Sequence, residues 1–287
     1  MLTCAMFRKS DKKRDEGLTT PEDIRRYDNI PYGSNGKWNL LDVYRPKDAE
    51  GKLPVIISVH GGGWVYGDKE LYQYYCMSLA QRGFAVVNFT YRLAPKYKFP
   101  APLEDTNTVV EWILKNSEEY GLDTENVFAV GDSAGAHMLG LYCCLCTDSN
   151  YASEIGVIPP KGFLPKAVAL NCGVYQIQKS KGFDFLGSLI KDFLPNKGTE
   201  TEMRQVSVME HVNGEFPPAY VMTCEGDFLA AAALPLVERL KALGVDAEYH
   251  YYGDPEHVLG HVFHCNMRSE EGKRCNKEEC DYFRSFV

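Results

Sequence analysis

The feature that most constrains the fold is an apolar run that stops at a Gly-x-Ser-x-Gly pentapeptide. Residues 127–130 have the composition of a buried strand, Gly131-Asp132-Ser133-Ala134-Gly135 follows, and a helix-compatible segment begins directly afterwards. A strand–turn–helix of this kind is so tight that its two glycines can carry no side chain, and it exposes the serine Oγ at the end of the sheet. The pattern predicts an α/β fold in which Ser133 is a candidate nucleophile.

A second glycine run follows another apolar stretch. The sequence His60-Gly61-Gly62-Gly63-Trp64 comes directly after residues 53–59. An acyl-transfer nucleophile needs backbone N–H donors aimed at the oxygen that becomes negative in the tetrahedral intermediate. Consecutive glycines allow such a close approach of the backbone. A flexible surface loop or a phosphate-binding turn is the alternative, but no lysine with a following Ser or Thr completes the phosphate-loop pattern.

These motifs together resemble the α/β-hydrolases, specifically the carboxylesterases related to hormone-sensitive lipase. Between the two glycine motifs the chain carries Tyr91-Arg92-Leu93-Ala94-Pro95 and Phe99-Pro100-Ala101-Pro102-Leu103-Glu104-Asp105, where that family has such segments. The resemblance runs from about residue 42 to residue 264. It is weak over residues 1–30 and 173–215, where such enzymes build variable caps. The chain departs from the family at Ala136-His137, where many members have Gly-Asn.

Apolar runs alternate with helical patterns along the chain, which predicts βαβ units and a mainly parallel sheet of eight strands. Strands are expected at 30–32 and 38–44, as a hairpin, and at 55–59, 85–90, 127–130, 167–170, 219–224 and 247–252. Helices are expected at 71–82, 103–120, 134–146 and 229–243. The 287 residues are expected to form a single α/β-hydrolase domain flanked by helices, with cap segments at about 1–30 and 173–215.

The composition disfavours several classes of partner. Thirty-one basic against 39 acidic side chains give a net charge of −8, which argues against nucleic acid. The sequence has no uninterrupted run of 18 apolar residues, so no membrane span is expected. Residues 1–14 are too basic for a secretory signal. Cys265, Cys275 and Cys280 lack the spacing of a zinc site, so the ten cysteines are expected to be structural thiols in a reducing cytoplasm.

The acid that orients the catalytic base is expected after the strand at 219–224. In this fold the chain order is Ser, then Asp or Glu, then His. Asp227 lies in Glu225-Gly226-Asp227-Phe228-Leu229 and matches the family's Asp-x-Leu step before a helix. Glu225 and, less well, Glu215 are alternatives. Capping of the following helix is the structural role that Asp227 could have instead.

The base is expected after the strand at 247–252, where three histidines lie. His261-Val262-Phe263-His264 resembles the family's His-Gly-Phe-His, which favours His261 over His257 and His264. His137 lies on the helix after the elbow, where a hydrogen-bonded core histidine is expected, but the sequence leaves its role open. Asp105 and Asp132 are expected to stabilise the loops around Ser133.

The resemblance implies a serine carboxylesterase that hydrolyses short-chain acyl esters, acetylated sugars among them, through an acyl-enzyme. The N–H groups of Gly62, Gly63 and Ala134 would form the oxyanion hole, and Trp64 and Phe228 would line the acyl pocket or pack in the core. The partner would be a small-molecule ester, with no metal or cofactor. An apolar helical stripe is expected to cover the site: Phe183, Phe185, Leu186, Leu189, Ile190, Phe193 and Leu194.

Two other classes of function stay open. One is hydrolysis of an amide-type acyl bond, as in arylformamidases with a similar His-Gly-Gly-x-Trp or in peptidases, although the propeller domain of prolyl peptidases is missing. The other is a non-catalytic ligand-binding relative such as the plant gibberellin receptors. Loss of the catalytic base would indicate that class. The sequence does not decide the natural ester, the oligomeric state (a homodimer included), or whether the alanines at 230–233 are natural or engineered.

Overall fold

The computed structural model describes residues 2–178 and 185–287, with only the backbone for residues 2–6. Within those ranges the chain forms one sheet of eight strands and ten α-helices. The strands are β1 (Ile24–Pro31), β2 (Leu40–Pro46), β3 (Leu53–Val59), β4 (Ala85–Phe89), β5 (Leu122–Asp132), β6 (Val168–Asn171), β7 (Ala219–Cys224) and β8 (Ala247–Tyr252). The helices are α1 (Leu2–Asp15), α2 (Lys69–Ala80), α3 (Ala101–Tyr120), α4 (Ala134–Thr147), α5 (Ser149–Ile155), α6 (Phe185–Phe193), α7 (Glu200–Gln205), α8 (Val208–His211), α9 (Ala233–Ala242) and α10 (Glu270–Arg284).

The strand order is β1-β2-β4-β3-β5-β6-β7-β8. β1 pairs antiparallel with β2, and β2 antiparallel with β4, whereas the other five neighbouring pairs, from β4–β3 to β7–β8, are parallel. The mainly parallel, eight-stranded α/β-hydrolase sheet expected from the sequence is therefore confirmed. Because the carboxyl ends of parallel strands lie at one edge, the loops after β3, β5, β7 and β8 meet there.

The sheet is covered on both faces, as its near-continuous apolar strands require. Helices α3, α4 and α9 pack on one face with buried residues such as Val109, Leu139 and Leu236. Helices α2 and α10 cover the other, where the Phe283 ring stacks on that of Phe128 at 4.9 Å. Burial of each such side chain stabilises the fold by roughly 1.5–3 kcal/mol, so these two layers hold the loop-bearing edge rigid.

The helix expected at 229–243 begins later in the structure. Residues Ala230–Ala232 form a 3-10 turn, and α9 starts at Ala233. The cause is Asp227, whose Oδ1 accepts from the N–H of Leu229 at 2.9 Å and whose carbonyl accepts from the N–H of Ala230 at 3.1 Å. In this tight turn, backbone N–H groups that were expected to belong to the first helical turn donate to Asp227 instead.

Candidate active site

Ser133 occupies the turn between β5 and α4 in a conformation that few non-glycine residues adopt. Its φ is 53° and its ψ −119°, and its N–H donates to the carbonyl of Asn171 at 2.8 Å. A Cβ on Gly131 would lie 2.6 Å from the carbonyl oxygen of Gly135, and one on Gly135 would lie 2.0 Å from that of Val59. Strain of this kind costs about 1–3 kcal/mol and persists only where the surroundings enforce it. Packing against β3 enforces it here.

Three side chains from separate loops form one hydrogen-bonded chain. The Nε2 atom of His261 lies 3.0 Å from the Oγ of Ser133, and its Nδ1 lies 2.7 Å from the Oδ1 of Asp227. The loops after β7 and β8 are joined by the N–H of Gly226, which donates to the carbonyl of Leu259 at 2.9 Å. The structure thus brings together the three residues singled out from the sequence.

Asp227 is held as a carboxylate. Its Oδ2 accepts from the hydroxyl of Thr223 at 2.7 Å, and its Oδ1 accepts from the N–H of Leu229 as well as facing His261. Burial opposes ionisation, but the hydrogen bond and charge of His261, with those two donors, outweigh it and lower the pKa of Asp227. An ionised, buried carboxylate beside Nδ1 fixes the imidazole tautomer and stabilises the imidazolium.

The alternative acids and bases lie elsewhere. Glu225 accepts from the hydroxyl of Tyr251 on β8. The side chain of His257 is 74% exposed, with Nε2 3.9 Å from Glu271. His264 is buried, and burial lowers its pKa to about 3. In the part of the chain that the structure describes, none of these three side chains hydrogen-bonds to Ser133.

The glycine run after β3 folds over Ser133. Gly62 has a φ of 116° and Gly63 one of 59°, which favour glycine. A Cβ on Gly62 would lie 2.0 Å from the carbonyl oxygen of Tyr66, and one on Gly63 2.7 Å from Cδ1 of Leu189. The N–H groups of Val65 and Tyr66 donate to the Gly62 carbonyl and close the turn. Within the described part of the chain, the N–H groups of Gly62 and Gly63 donate to no protein acceptor.

A buried tyrosine joins this loop to the elbow, a link that sequence spacing did not reveal. The hydroxyl of Tyr72 on α2 accepts from the N–H of Gly61 at 3.0 Å and donates to Oδ2 of Asp132 at 2.7 Å. Burial raises the pKa of Asp132 to about 6 against the hydrogen bond from Tyr72. The Gly61 N–H is thus occupied and is not free to bind a substrate oxygen.

Residues of the two family motifs that lie between the glycine loops stabilise the surrounding backbone. The ring of Tyr91 stacks on that of His60 at 4.0 Å, and its hydroxyl donates to the His60 carbonyl at 2.7 Å. Arg92 donates from its N–H to Oδ2 of Asp105 at 2.7 Å and pairs its guanidinium with the same carboxylate. Asp105 and Asp132 therefore stabilise the loops, as expected.

The two aromatic residues expected at the substrate differ in exposure. The indole of Trp64 is 1% exposed, stacks on Phe193 at 4.9 Å and donates from Nε1 to Nδ1 of His137 at 3.2 Å. His137 in turn donates from Nε2 to the carbonyl of Val206 at 2.6 Å, and burial lowers its pKa to about 4. His137 is therefore a hydrogen-bonded core histidine. Phe228, in contrast, is 65% exposed, with its ring 4.4 Å from that of His261.

A cavity of about 670 Å³ opens above Ser133 and His261. The two segments where a cap was expected both contribute to its lining. Helix α1 contributes Phe7, Ser10, Asp11 and Arg14, and the region of α6 contributes Phe185, Leu186 and Leu189. Of the expected apolar stripe, Phe183 lies outside the described residues.

Helix α1 is tied to the rest of the site by polar contacts. The hydroxyl of Tyr66 donates to Asp11 at 2.9 Å, and Arg14 donates to the carbonyl of Leu71 at 2.6 Å. Sequence reasoning assigned no individual residue of this helix. The spacing of Asp11 and Arg14, which pair across one helical turn, is a sequence signal that favours this helix.

The nine cysteines whose side chains the structure describes are free thiols, and most are buried. No helix in the described ranges has the length and apolarity to cross a bilayer.

Comparisons with known proteins agree with this architecture. Residues 41–232 match the BD-FAE family model. The chain is 30% identical over 242 residues to esterase LipQ of Mycobacterium tuberculosis, covering 78% of this chain and 56% of that protein. It is 31% identical over 226 residues to an esterase of Gibberella moniliformis, covering 74% of this chain and 70% of that protein. The chain thus spans just over half the length of LipQ.

A solved structure is similar over nearly the whole chain. Esterase B from Lactobacillus rhamnosis, crystallised with a C4-C4 SN3 tributyrin phosphonate, superposes with a TM-score of 0.89 at 26% identity. The match covers 98% of this chain and 92% of that one. Sequence, sheet order and these comparisons agree: the chain belongs to the BD-FAE family, an α/β-hydrolase among the carboxylesterases related to hormone-sensitive lipase.

Proposed function

We propose that this protein is a carboxylic ester hydrolase with Ser133 as its nucleophile. The observation that carries the proposal is the hydrogen-bonded chain from Asp227 through His261 to Ser133, directly beneath a glycine loop. A serine is a weak nucleophile unless an oriented base takes its proton. Relatives named as esterases, and a structural neighbour crystallised with a phosphonate, support the same chemistry.

The geometry supports a two-step mechanism. Nε2 of His261 accepts the Ser133 proton while Oγ attacks the ester carbonyl, and the carboxylate of Asp227 stabilises the resulting imidazolium. The imidazolium then protonates the departing alcohol, which leaves an acyl-enzyme. Water, deprotonated by the same histidine, releases the acid and restores Ser133.

The oxyanion of each tetrahedral intermediate would be bound by backbone donors. The N–H groups of Gly62 and Gly63 are free of protein acceptors in the described ranges, and Ala134 lies at the N-terminus of α4, whose dipole favours negative charge. Loss of one such donor typically costs about 10²–10³ in kcat. Leu189, packed against Gly63, would exclude water from this side of the intermediate.

The cavity lining from α1 and the α6 region favours a small acyl group. We propose that residues 1–30 and 173–215 form the cap, since α1 and the α6 region line the cavity together. Phe228 would contact the substrate, and Trp64 would support the glycine loop from below. One methylene changes discrimination by only about 1–3 kcal/mol, so activity should decline gradually from acetyl and butyryl esters to little beyond about eight carbons. Acetylated sugars are one candidate class.

Free thiols fit the reducing cytoplasm expected from the sequence.

A hydrolysis screen separates the competing functions. It would contain nitrophenyl esters of rising acyl length, acetylated sugars, an N-formyl arylamine and a peptide, each tested with the wild type and with Ser133→Ala. Faster turnover of short esters than of amides, lost in Ser133→Ala, supports the proposal. Preference for the formyl amide favours an arylformamidase, and binding without turnover favours a ligand-binding relative.

A further inference from the structure

A cysteine lies beside the Asp–His pair. Cys172 follows β6 and is 1% exposed. Its Sγ, a carboxylate oxygen of Asp227 and a ring nitrogen of His261 all lie within 4.8 Å of one another. Three atoms this close leave a point within about 2.8 Å of all of them, near the roughly 2.0–2.3 Å of zinc–ligand bonds. Small side-chain movements would therefore suffice for all three to bind one ion.

Two further observations set this cysteine apart. Its φ is 48°, a left-handed conformation that costs energy for a residue with a side chain. Its Sγ also donates a weak hydrogen bond to the Sδ of Met222 on β7 at 3.9 Å, so a second sulfur lies beside the cluster. The backbone beneath is fixed, because the Cys172 N–H donates to the carbonyl of Met222 at 2.7 Å.

We infer that Cys172, Asp227 and His261 form an inhibitory site for a thiophilic divalent cation such as Zn²⁺ or Cd²⁺. Thiolate, imidazole and carboxylate are the ligands that these ions prefer. The ion would reach them from the cavity, which His261 lines. The site is one for inhibition and not for a resident cofactor, because occupancy consumes the groups that the proposed hydrolysis needs.

The chemistry of inhibition follows from the imidazole tautomer. In the metal-free site Nδ1 carries the proton that faces Asp227, and Nε2 is free to accept from Ser133. A cation bound at Nδ1 moves that proton to Nε2, and the Cys172 thiol releases its proton to solvent as it becomes a thiolate ligand. His261 stays neutral, yet Nε2 can no longer accept the proton of Ser133. Reversible loss of hydrolysis is the consequence.

Cadmium is the probe for the test because a cadmium–thiolate bond absorbs in the near ultraviolet. The whole protein, freed of metal with EDTA, is titrated with Cd²⁺ while absorbance and hydrolysis of nitrophenyl acetate are recorded. We expect one Cd²⁺ per chain to produce the thiolate band and to stop hydrolysis, and EDTA to restore it. Mg²⁺, a hard cation, should have neither effect.

Variants locate the ion. In Cys172→Ala the thiolate band should vanish, and the Cd²⁺ concentration for half inhibition, relative to that variant's own metal-free rate, should rise at least about tenfold. Cys146→Ala is the matched control, because that thiol on α4 is more exposed, and it should respond like the wild type. Cys172→Ser, which keeps the size of the side chain, replaces the alanine variant if circular dichroism shows that the latter is unfolded.

The inhibition arm rests on the proposed function, whereas the absorbance arm does not. Ser133→Ala should bind Cd²⁺ with the same band as the wild type even though it cannot hydrolyse esters. Inhibition of Cys172→Ala at the wild-type concentration would overturn the site, as would a wild-type protein that shows no thiolate band at saturating Cd²⁺. A wild type that binds Cd²⁺ through Cys172 but hydrolyses no ester would keep the site and refute the proposed function.

Discussion

Replacing Asp227 by asparagine removes one charge and little else. The N–H of Leu229 needs an acceptor at Oδ1, while the hydroxyl of Thr223 can accept as readily as donate. The asparagine carbonyl should therefore keep facing His261, with its NH₂ toward Thr223. The loss is then the attraction between the carboxylate and the imidazolium formed in the transition state. At an effective dielectric constant of about 20 and a charge separation of about 4 Å, this attraction is about 4 kcal/mol.

A barrier increase of that size lowers the rate by about 10³. The assay is kcat and kcat/KM for nitrophenyl acetate, with thermal melts to show that the variant is folded. Glu225→Gln is the matched control: it makes the same change two residues away, where the carboxylate accepts from Tyr251 instead, and should stay within about threefold of the wild type, as surface changes usually do. If Glu225→Gln loses as much activity as Asp227→Asn, the acid has been misassigned.

Three further outcomes are expected. His261→Ala should cost nearly as much turnover as the loss of Ser133, because base and nucleophile act as a unit, whereas exposed His257→Ala should stay within about tenfold in the same assay. Hydrolysis should fall stepwise with acyl length, and equal rates for palmitoyl and acetyl esters would contradict the short pocket. Burial raises the pKa of Glu279 to about 7 against an unfolded value of 4.5, so its protonated form stabilises the fold at low pH and up to about 3 kcal/mol is lost as pH rises through 7. Urea unfolding at pH 5 and pH 8 measures how much the free energy of unfolding falls between the two. This fall should be smaller in Glu279→Gln than in the wild type, and an equal fall would refute the linkage.

The core of the fold could be predicted because its signals are local. Apolar strands such as β3 and β7 alternate with amphipathic helices, and that alternation permits few arrangements other than a parallel sheet. Helices α1 and α10 were not predicted. The mean hydropathy of each is low, so what holds them is contact with distant residues, such as the packing of Phe283 on Phe128.

The site could be predicted as far as motifs reach. Gly131 and Gly135 are required by backbone contacts within five residues and against β3, so the pattern itself carries the geometry. Tertiary contacts decided the rest. Spacing left Glu225 open as an alternative to Asp227, and it is the contact of Asp227 with Nδ1 of His261, supported by the donors of Leu229 and Thr223, that favours Asp227.

Labelling with an organophosphonate tests the central claim most directly, because the reagent reacts only with a serine that an adjacent base and oxyanion donors activate. The protein is treated with a nitrophenyl alkylphosphonate, digested and examined by peptide mass spectrometry, with Ser133→Ala in parallel. One phosphonyl group should attach to Ser133, ester hydrolysis should stop in proportion to labelling, and Ser133→Ala should be unlabelled and lower in hydrolysis by several orders of magnitude while it remains folded. Labelling at another residue, or hydrolysis retained by Ser133→Ala, would contradict the assignment of Ser133 as the nucleophile.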